Sequence, residues 1–176
     1  MTENLEEAHL AIDLEEAEQQ AAEDVVAQHE EALAKQLKEM QARKRKLVDP
    51  LQFELSIQAE DLINYKPAFG WQMAPASEKQ LKALERMGIF PEDVENAGKA
   101  FLLLDKLSAR RAEGLTTPKQ IRFLEKKGFM HVGTWDFESA NNLIGRIANN
   151  GWQIPHTIDP AVYRPEVMAN ESATRI

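Results

Sequence analysis

The sequence predicts an all-α protein: a long N-terminal helix, a connector, a tandem duplicated helix–linker–helix domain and a short extended C-terminal tail. One observation is that residues 3–47 contain neither glycine nor proline and are rich in Ala, Glu, Gln, Leu and Lys, which form helices readily. The other is that residues 76–152 hold two similar copies, offset by 40 residues without a gap. Their apolar spacing is typical of amphipathic helices. The predicted segments are residues 1–47, 48–75, 76–114, 115–152 and 153–176.

The N-terminal segment is charged in an order that suits a helix. Its first 31 residues hold eleven acidic side chains and no Lys or Arg, and it ends in the basic run Arg43 to Lys46. Acids near the start of a helix and cations near its end interact favourably with the helix dipole. Asp49–Pro50 is expected to end the helix. The basic run fits a solvated helix end, with phosphate contact or nuclear import as the alternatives.

The connector between residues 48 and 75 shows no decisive periodicity. Its first half, "FELSIQAEDLINY", fits a short strand or a short helix, and its second half, "KPAFGWQMAP", predicts an ordered loop because Pro and Gly interrupt it. The triplet "GWQ" occurs here and again after the repeats, so that Trp71 and Trp152 bracket them. We expect both tryptophans to pack as lids over the ends of the core, with base stacking as the alternative.

The first helix of each repeat is marked at both of its ends. The two copies open with the similar runs "SEKQLKALERMGI" and "TPKQIRFLEKKGF". Ser77 and Thr117 are residues favoured at a helix N-cap, and Gly88 and Gly128 are favoured just beyond a helix end. Each run therefore predicts one helix of about ten residues, in line with the short helices of small domains.

The second helix of each repeat is longer and presents one apolar face. Asn96 and Asp136 are suitable N-caps for it. A single two-helix unit buries too little apolar surface to fold alone, so we expect the two copies to share one pseudo-symmetric core. Leu104 and Ile144 are expected to be buried where the copies meet. The predicted second helices span residues 98–112 and 137–149.

Polar residues are also retained between the copies. Three cations lie on one face of each first helix, at i, i+3 and i+7, and one lies on each second helix. They are Lys79, Lys82, Arg86 and Lys106 in the first repeat, and Lys119, Arg122, Lys126 and Arg146 in the second. Two interpretations stay open: contacts with DNA backbone phosphates, or ion pairs with glutamates on the helix surface. The repeated Gln80 and Gln120 predict a structural role, as caps or as bonds to the backbone between the units.

Several kinds of site have no basis in the sequence. Cysteine is absent and the four histidines lack metal-ligand spacing, so we expect no disulfide and no metal site. No phosphate-binding loop, nucleophile elbow or zinc-peptidase motif occurs, so we expect neither catalysis nor a cofactor. The longest apolar run covers only residues 100–104, and the N-terminus is acidic. We therefore expect a cytoplasmic protein with no membrane partner.

The net charge of −8 does not exclude a nucleic-acid partner, because the acidic excess is local. Residues 76–152 hold twelve Lys and Arg side chains against ten acids. The repeat region is therefore slightly basic, while the first thirty residues carry most of the negative charge.

The chain from about residue 43 to residue 165 resembles the C-terminal accessory region of phage and prophage DEAD/DEAH-box (superfamily 2) helicases. The resemblance lies in "PLQFELSIQAEDLINYKPAFGW", in the paired KQ-helix-Gly units, in "VGTWDFESANNLIGRIANNGW" and in "IPHTIDPAVYRP". Each unit is also similar to a SAP module, a helix–linker–helix element that binds DNA. The phosphate-binding loop and acidic Mg²⁺-binding motif of the helicase motor are absent from these 176 residues.

The resemblance thus implies a non-catalytic, helicase-associated module from a bacterial or phage-infected cell rather than a helicase. Its expected partner is DNA, bound through the repeated basic helix faces with weak sequence preference, beside a helicase motor or replication protein. The alternative is a protein–protein adaptor that docks on such a partner through the N-terminal helix.

Overall fold

The computed structural model describes residues 3–166 of the chain. The helices are α1 (Glu3–Lys46), α2 (Pro50–Ser56), α3 (Glu60–Ile63), α4 (Gly70–Met73), α5 (Glu78–Arg86), α6 (Ala97–Ala112), α7 (Pro118–Lys126) and α8 (Phe137–Asn149). Short 3₁₀ helices occur at Pro91–Asp93 and Val132–Thr134. Over the described residues, extended pairing is limited to two isolated bridges, Val48 with Ile89 and Leu115 with Asp136. The all-α prediction is confirmed.

Helix α1 is long and exposed, and the chain divides into two compact units just after Arg43. Residues 4–42 are all exposed, including apolar side chains such as Leu33, Leu37 and Met40. The helix therefore draws its stability from the intrinsic propensity of its Ala, Glu, Gln and Lys residues rather than from buried apolar area. The predicted long N-terminal helix is confirmed, and it ends at Lys46 as the following Asp-Pro pair predicts.

The chain passes from the end of α1 directly into the core of the second unit. Leu47 and Val48 are both buried. The backbone N–H of Val48 donates to the carbonyl of Gly88 at 2.7 Å, and the Val48 carbonyl accepts from Phe90 N–H at 2.8 Å. These two bonds form the bridge that ties the start of the connector to the end of α5.

The connector supplies part of the core. Its first half forms α2 and α3, the helical alternative left open by the sequence, and its second half contains the short helix α4, where Pro and Gly predict only a loop. Phe53 on α2 and Leu62 on α3 are fully buried. Helix α2 contacts α7 of the second repeat, whereas α3 and α4 contact α6 of the first. These helices of four to seven residues bury at most three side chains each, so they leave no periodicity in the sequence.

Close packing of the connector on the first repeat requires glycine at the start of α6. A Cβ atom at Gly98 would lie 2.0 Å from the Tyr65 hydroxyl oxygen and 2.8 Å from the Cβ of Gln72. Both distances are far below van der Waals contact, so any larger side chain forces the connector away from α6.

A capping box begins the first helix of each repeat, and its glutamine also reaches the second helix. Gln80 Oε1 accepts from Ser77 N–H at 2.9 Å, Gln80 N–H donates to Ser77 Oγ at 3.3 Å, and Gln80 Nε2 donates to the Ala97 carbonyl at 3.1 Å. The second repeat makes the same three bonds, at 3.0, 3.2 and 3.2 Å, among Thr117, Gln120 and Phe137. The structural role predicted for the glutamines is confirmed, and the bonds lie within each unit.

The predicted glycines end the first helices in left-handed backbone conformations. Gly88 has φ +91° and Gly128 has φ +93°, a region that glycine adopts without steric cost. The following N–H groups donate back into the helix, from Ile89 to Leu84 at 3.0 Å and from Phe129 to Leu124 at 3.1 Å. This pattern is the Schellman motif, and Gly114 and Gly151 follow α6 and α8 in the same way.

One hydrophobic core joins both repeats and the connector. The second helices contribute equivalent residues: Ala100, Leu103 and Leu107 from α6, and Ala140, Leu143 and Ile147 from α8. Leu104 and Ile144 are only half-buried at its edge, so their expected central burial is wrong. The buried arc is centred on residues 103 and 143, and the next residue along a helix turns about 100° away from that centre.

The tail folds back on the core in turns between residues 153 and 166. Ile158 is buried, and the Tyr163 ring lies 5.6 Å from those of Phe129 and Trp135. The remainder of the predicted tail, residues 167–176, lies outside the described residues. The aromatic cluster closes the side of the core formed by the second repeat.

Replacing Leu103 or Leu143 by Ala should lower the free energy of unfolding by ~2–5 kcal/mol, because each side chain is fully enclosed. Leu104→Ala and Ile144→Ala serve as matched controls and should cost less, since solvent already reaches those side chains. Denaturant unfolding of the four variants measures the difference. Equal losses at enclosed and edge positions would contradict the core described here.

Deleting residues 1–40 should shift the thermal midpoint of the remaining chain by less than about 3 °C, because residues 4–42 are exposed. The three tryptophans lie outside the deleted segment, so their fluorescence follows unfolding in both chains. A drop of about 10 °C or more would show that α1 completes the core.

Candidate nucleic-acid interface

The eight repeated cations are distributed over the four helices of the repeat domain. Three lie on α5, three on α7, and one each on α6 and α8. Lys106 and Arg122 are half-buried, and the other six are exposed. Exposure alone does not make a ligand site, so the partners of each side chain decide which cations are available to a phosphate.

Two of the cations form ion pairs, and one of these pairs is of the helix-surface kind that the alternative interpretation predicts. Lys82 Nζ lies 2.6 Å from Glu78 Oε1 one turn earlier on α5, and both side chains are largely exposed. Lys106 Nζ lies 3.3 Å from Asp61 Oδ2 of α3. Exposed pairs of this type contribute about 0.3–0.5 kcal/mol, so a phosphate competes with them easily.

Arg122 caps the end of α1 instead of facing solvent. Its Nη1 donates to the Leu47 carbonyl at 2.5 Å, and its Nη2 donates to the Lys46 carbonyl at 3.4 Å. Carbonyls at a helix C-terminus lack intrahelical partners, and a guanidinium satisfies them well. The bond spans 75 residues of sequence, so no local pattern predicts it.

The structure brings Arg86 of the first repeat and Lys119 of the second to the same place. The Lys119 side chain crosses the end of α5, with its Cγ and Cε 3.3 Å from the position that a Cβ at Gly88 would take. Arg86 makes one long bond, from Nε to the Lys82 carbonyl at 3.4 Å. Both side chains are exposed, and both line one groove between the repeats.

That groove has a volume of about 810 Å³. It lies where α5 and α6 end and where α7 and α8 begin. Two helix C-termini and two N-termini meet there, so the helix dipoles largely offset one another. The charge of the groove therefore comes from its side chains, four basic and two acidic: Arg86, Arg110, Arg111, Lys119, Asp136 and Glu138.

Arg110 forms a wall of the groove. Its Nη2 donates to the Gly133 carbonyl at 2.8 Å and to both oxygens of Thr116 at 3.2 Å. Burial lowers the pKa of this guanidinium, although an arginine remains charged at neutral pH. Arg111, the next residue, is exposed. Arg86, Arg111 and Lys119 are therefore the groove cations that a ligand can reach.

Asp136 keeps its negative charge in the groove for a structural reason. Its carboxylate caps α8, accepting from Ser139 N–H at 2.8 Å and from Ser139 Oγ at 2.6 Å. These hydrogen bonds lower the pKa of Asp136. The N-cap predicted from the sequence is confirmed, and it places one fixed acid beside the three accessible cations.

Trp71 and Trp152 are not packed as lids, so that expectation is wrong. Their side chains are 57% and 56% exposed. Each meets one phenylalanine edge to face, Trp71 with Phe101 at 6.2 Å and Trp152 with Phe123 at 6.0 Å between ring centroids. A single contact of this kind covers only part of an indole. The packed tryptophan is Trp135, which the repeated GWQ pattern does not mark.

A second cavity of about 390 Å³ contains a buried ion pair between the connector and the first repeat. Lys99 Nζ lies 3.0 Å from both carboxylate oxygens of Glu54 and also donates to the Leu62 carbonyl. Burial raises the pKa of Glu54, although the Lys99 ammonium opposes that rise. The pair ties α2 and α3 to α6. Nothing in the sequence around Glu54 distinguishes it from the exposed acids.

Other kinds of site are not built by the described residues. Between residues 3 and 166, no three His, Cys, Asp or Glu side chains converge in a way that holds a metal ion. Nor does any helix in that range have both the length and the apolar character needed to cross a membrane. A comparison with protein-family models, curated proteins and solved structures finds no match.

Replacing Lys99 by Met should lower the free energy of unfolding by ~3–5 kcal/mol, because it leaves the buried Glu54 carboxylate without its partner. The double replacement Glu54→Gln and Lys99→Met should recover most of that loss. Denaturant unfolding of parent, single and double variants forms the cycle. A double variant as unstable as Lys99→Met would contradict the pairing.

The same carboxyl should give a pH signature. Because the folded-state pKa of Glu54 is raised above 4.5, the native state binds its proton more readily than the unfolded chain does. The ionised Glu54 carboxylate destabilises the folded state at pH values above its raised pKa. This destabilisation disappears as the pH falls towards 4.5. The stability of the parent relative to Glu54→Gln should therefore increase on acidification. A constant difference across that window would show that the carboxyl is not desolvated.

Proposed function

We propose that the repeat domain binds the phosphate backbone of DNA without catalysing a reaction, as an accessory module of a helicase. The observation that carries the proposal is the groove between the repeats. Its accessible cations come from both copies: Arg86 and Arg111 from the first and Lys119 from the second. The resemblance to helicase accessory regions supports the same function.

The groove cations suit phosphate better than a small neutral ligand. Arginine presents paired N–H donors that match two phosphate oxygens, and lysine adds a point charge. Lys79 on α5 and Lys126 on α7 are exposed on the helices that lead into the groove. A DNA strand whose phosphates contact these side chains releases counterions, and this release favours association at low salt.

The three cations that already have partners within the protein contribute less to phosphate binding in this proposal. Lys82 and Lys106 bind phosphate only by exchanging a weak ion pair. Arg122 is needed at the end of α1, where it satisfies two carbonyls. Arg146 is exposed on α8 and extends the basic surface. Phosphate contacts read no bases, so sequence preference should be weak.

A protein–protein adaptor is the second candidate, and the surface of α1 favours it. Leu33, Leu37 and Met40 follow heptad spacing and are all exposed. A partner helix that covers them gains buried apolar area, the usual basis of helix pairing. In this function α1 docks on a helicase motor or replication protein while the repeats contact DNA or a second protein surface.

Replacing Arg86 and Lys119 together by Gln should flatten the salt dependence of duplex DNA binding by about 1.8 in the log–log slope, about 0.9 for each lost phosphate contact. The matched control is Lys35→Gln with Lys38→Gln, which removes the same charge from exposed positions on α1. Fluorescence anisotropy with a labelled duplex from about 50 to about 200 mM salt measures the slopes.

Unchanged thermal midpoints would show that both double variants remain folded. Two duplexes of unrelated sequence should bind the parent with similar affinity. Equal slopes for the groove variant and the parent would remove the groove from the interface. No binding by the parent at about 50 mM salt would overturn the proposed function and leave the adaptor as the better candidate.

A further inference from the structure

We propose that Trp152, supported by Phe123 and flanked by the lysines of α7, is a stacking platform for an unpaired base. The repeat domain would then bind single-stranded nucleic acid more tightly than duplex. This inference rests on the proposed function, because it names the class of nucleic acid that the same basic surface takes. It depends on the exposure, the backbone conformation and the charged surroundings of one tryptophan.

The indole of Trp152 is exposed, so it contributes little buried apolar area to the fold. More than half of it faces solvent, and its edge-to-face contact with Phe123 is made at an interplanar angle of 75°. An exposed indole forgoes the burial that makes Trp135 part of the core. The exposed ring surface is the kind of apolar face on which a base stacks.

The backbone at Trp152 adopts a strained conformation. Trp152 has φ +65°, a left-handed conformation that is unusual for a bulky residue. Its N–H donates to the Ile147 carbonyl at 2.9 Å, and its own carbonyl accepts from Lys127 Nζ at 2.6 Å. The same ammonium lies 5.9 Å from the centroid of the Phe123 ring. Two hydrogen bonds therefore fix the main chain at Trp152, and the edge-to-face contact with Phe123 orients the indole.

The surroundings of Trp152 favour nucleic acid over an apolar protein surface. Phe123 lies one turn before the exposed Lys126 on α7, and the Lys127 ammonium lies against the same ring. The nearby acid Glu125 accepts a hydrogen bond from Ser56 Oγ at 2.8 Å, on the side of α7 that faces α2. Cations beside an exposed indole match a strand that offers phosphates and unstacked bases together.

The second copy of the repeat carries an aromatic residue within a basic face that both copies share. The residue of the first repeat equivalent to Phe123 is Ala83. Trp71 meets Phe101 on α6 instead, and the side chain one turn after Phe101 is the exposed Asp105. Trp71 is therefore as exposed as Trp152 but has an acid beside its partner ring. It provides a matched control within the same chain.

The test compares the full chain with Trp152→Ala, Trp152→Phe and Trp71→Ala. Each is titrated into a labelled oligothymidine and into a duplex of the same length, with fluorescence anisotropy as the readout. Trp152→Ala should weaken binding of the single strand about tenfold, within the range measured for stacking of one base. Duplex affinity should change less than about twofold. The salt slope should stay the same, because no phosphate contact is lost. Trp152→Phe should keep most of the affinity, and Trp71→Ala should match the parent.

Each outcome decides between the two proposals. If Trp152→Ala binds the single strand like the parent, or weakens single strand and duplex equally, the platform is wrong and the backbone proposal stands. If Trp71→Ala weakens the single strand as much as Trp152→Ala, the flanking cations do not select the site and the inference also fails. If the parent binds neither nucleic acid, the proposed function itself fails, and the exposed indole is better explained by a protein partner.

Discussion

The fold depends on the burial of the connector against both repeats. Each repeat is a pair of helices that cannot enclose a core of its own. Phe53 and Leu62 fill the space beside α7 and α6, and the Glu54–Lys99 pair fastens the connector to the first repeat. The apolar burial provides the driving force, while the ion pair restricts how the connector is placed.

Equivalent cations of the two repeats do not make the same contacts. Lys82 pairs with a glutamate one turn away, whereas its equivalent Arg122 caps the end of α1. The reason is that the two copies have different neighbours: α7 lies beside the connector and the end of α1, and α5 leads into the groove. Similar local sequence therefore gives similar helices and caps, but the tertiary surroundings assign each cation its partner.

The proposed interface combines two kinds of recognition that have different physical origins. Phosphate binding at the proposed groove site depends on cations and should weaken with salt, because it releases counterions. The platform at Trp152 acts through a ring face, which salt affects little. The two sites lie at opposite ends of α7, since Lys119 is in its first turn and Lys127 follows its last residue. In this proposal, one helix connects the backbone site to the base site.

The sequence by itself determined the helices of the repeats and their ends, because capping boxes and C′ glycines act over a few residues. Ser77, Gln80 and Gly88 have the same roles in the structure that the local pattern predicts. Only the tertiary structure decided the rest: the helical connector, the edge positions of Leu104 and Ile144, and the exposure of Trp71 and Trp152. It also decided which cations share the groove. These features depend on contacts between residues that are distant in the chain, as with Arg122 and Leu47, and no local pattern encodes such contacts.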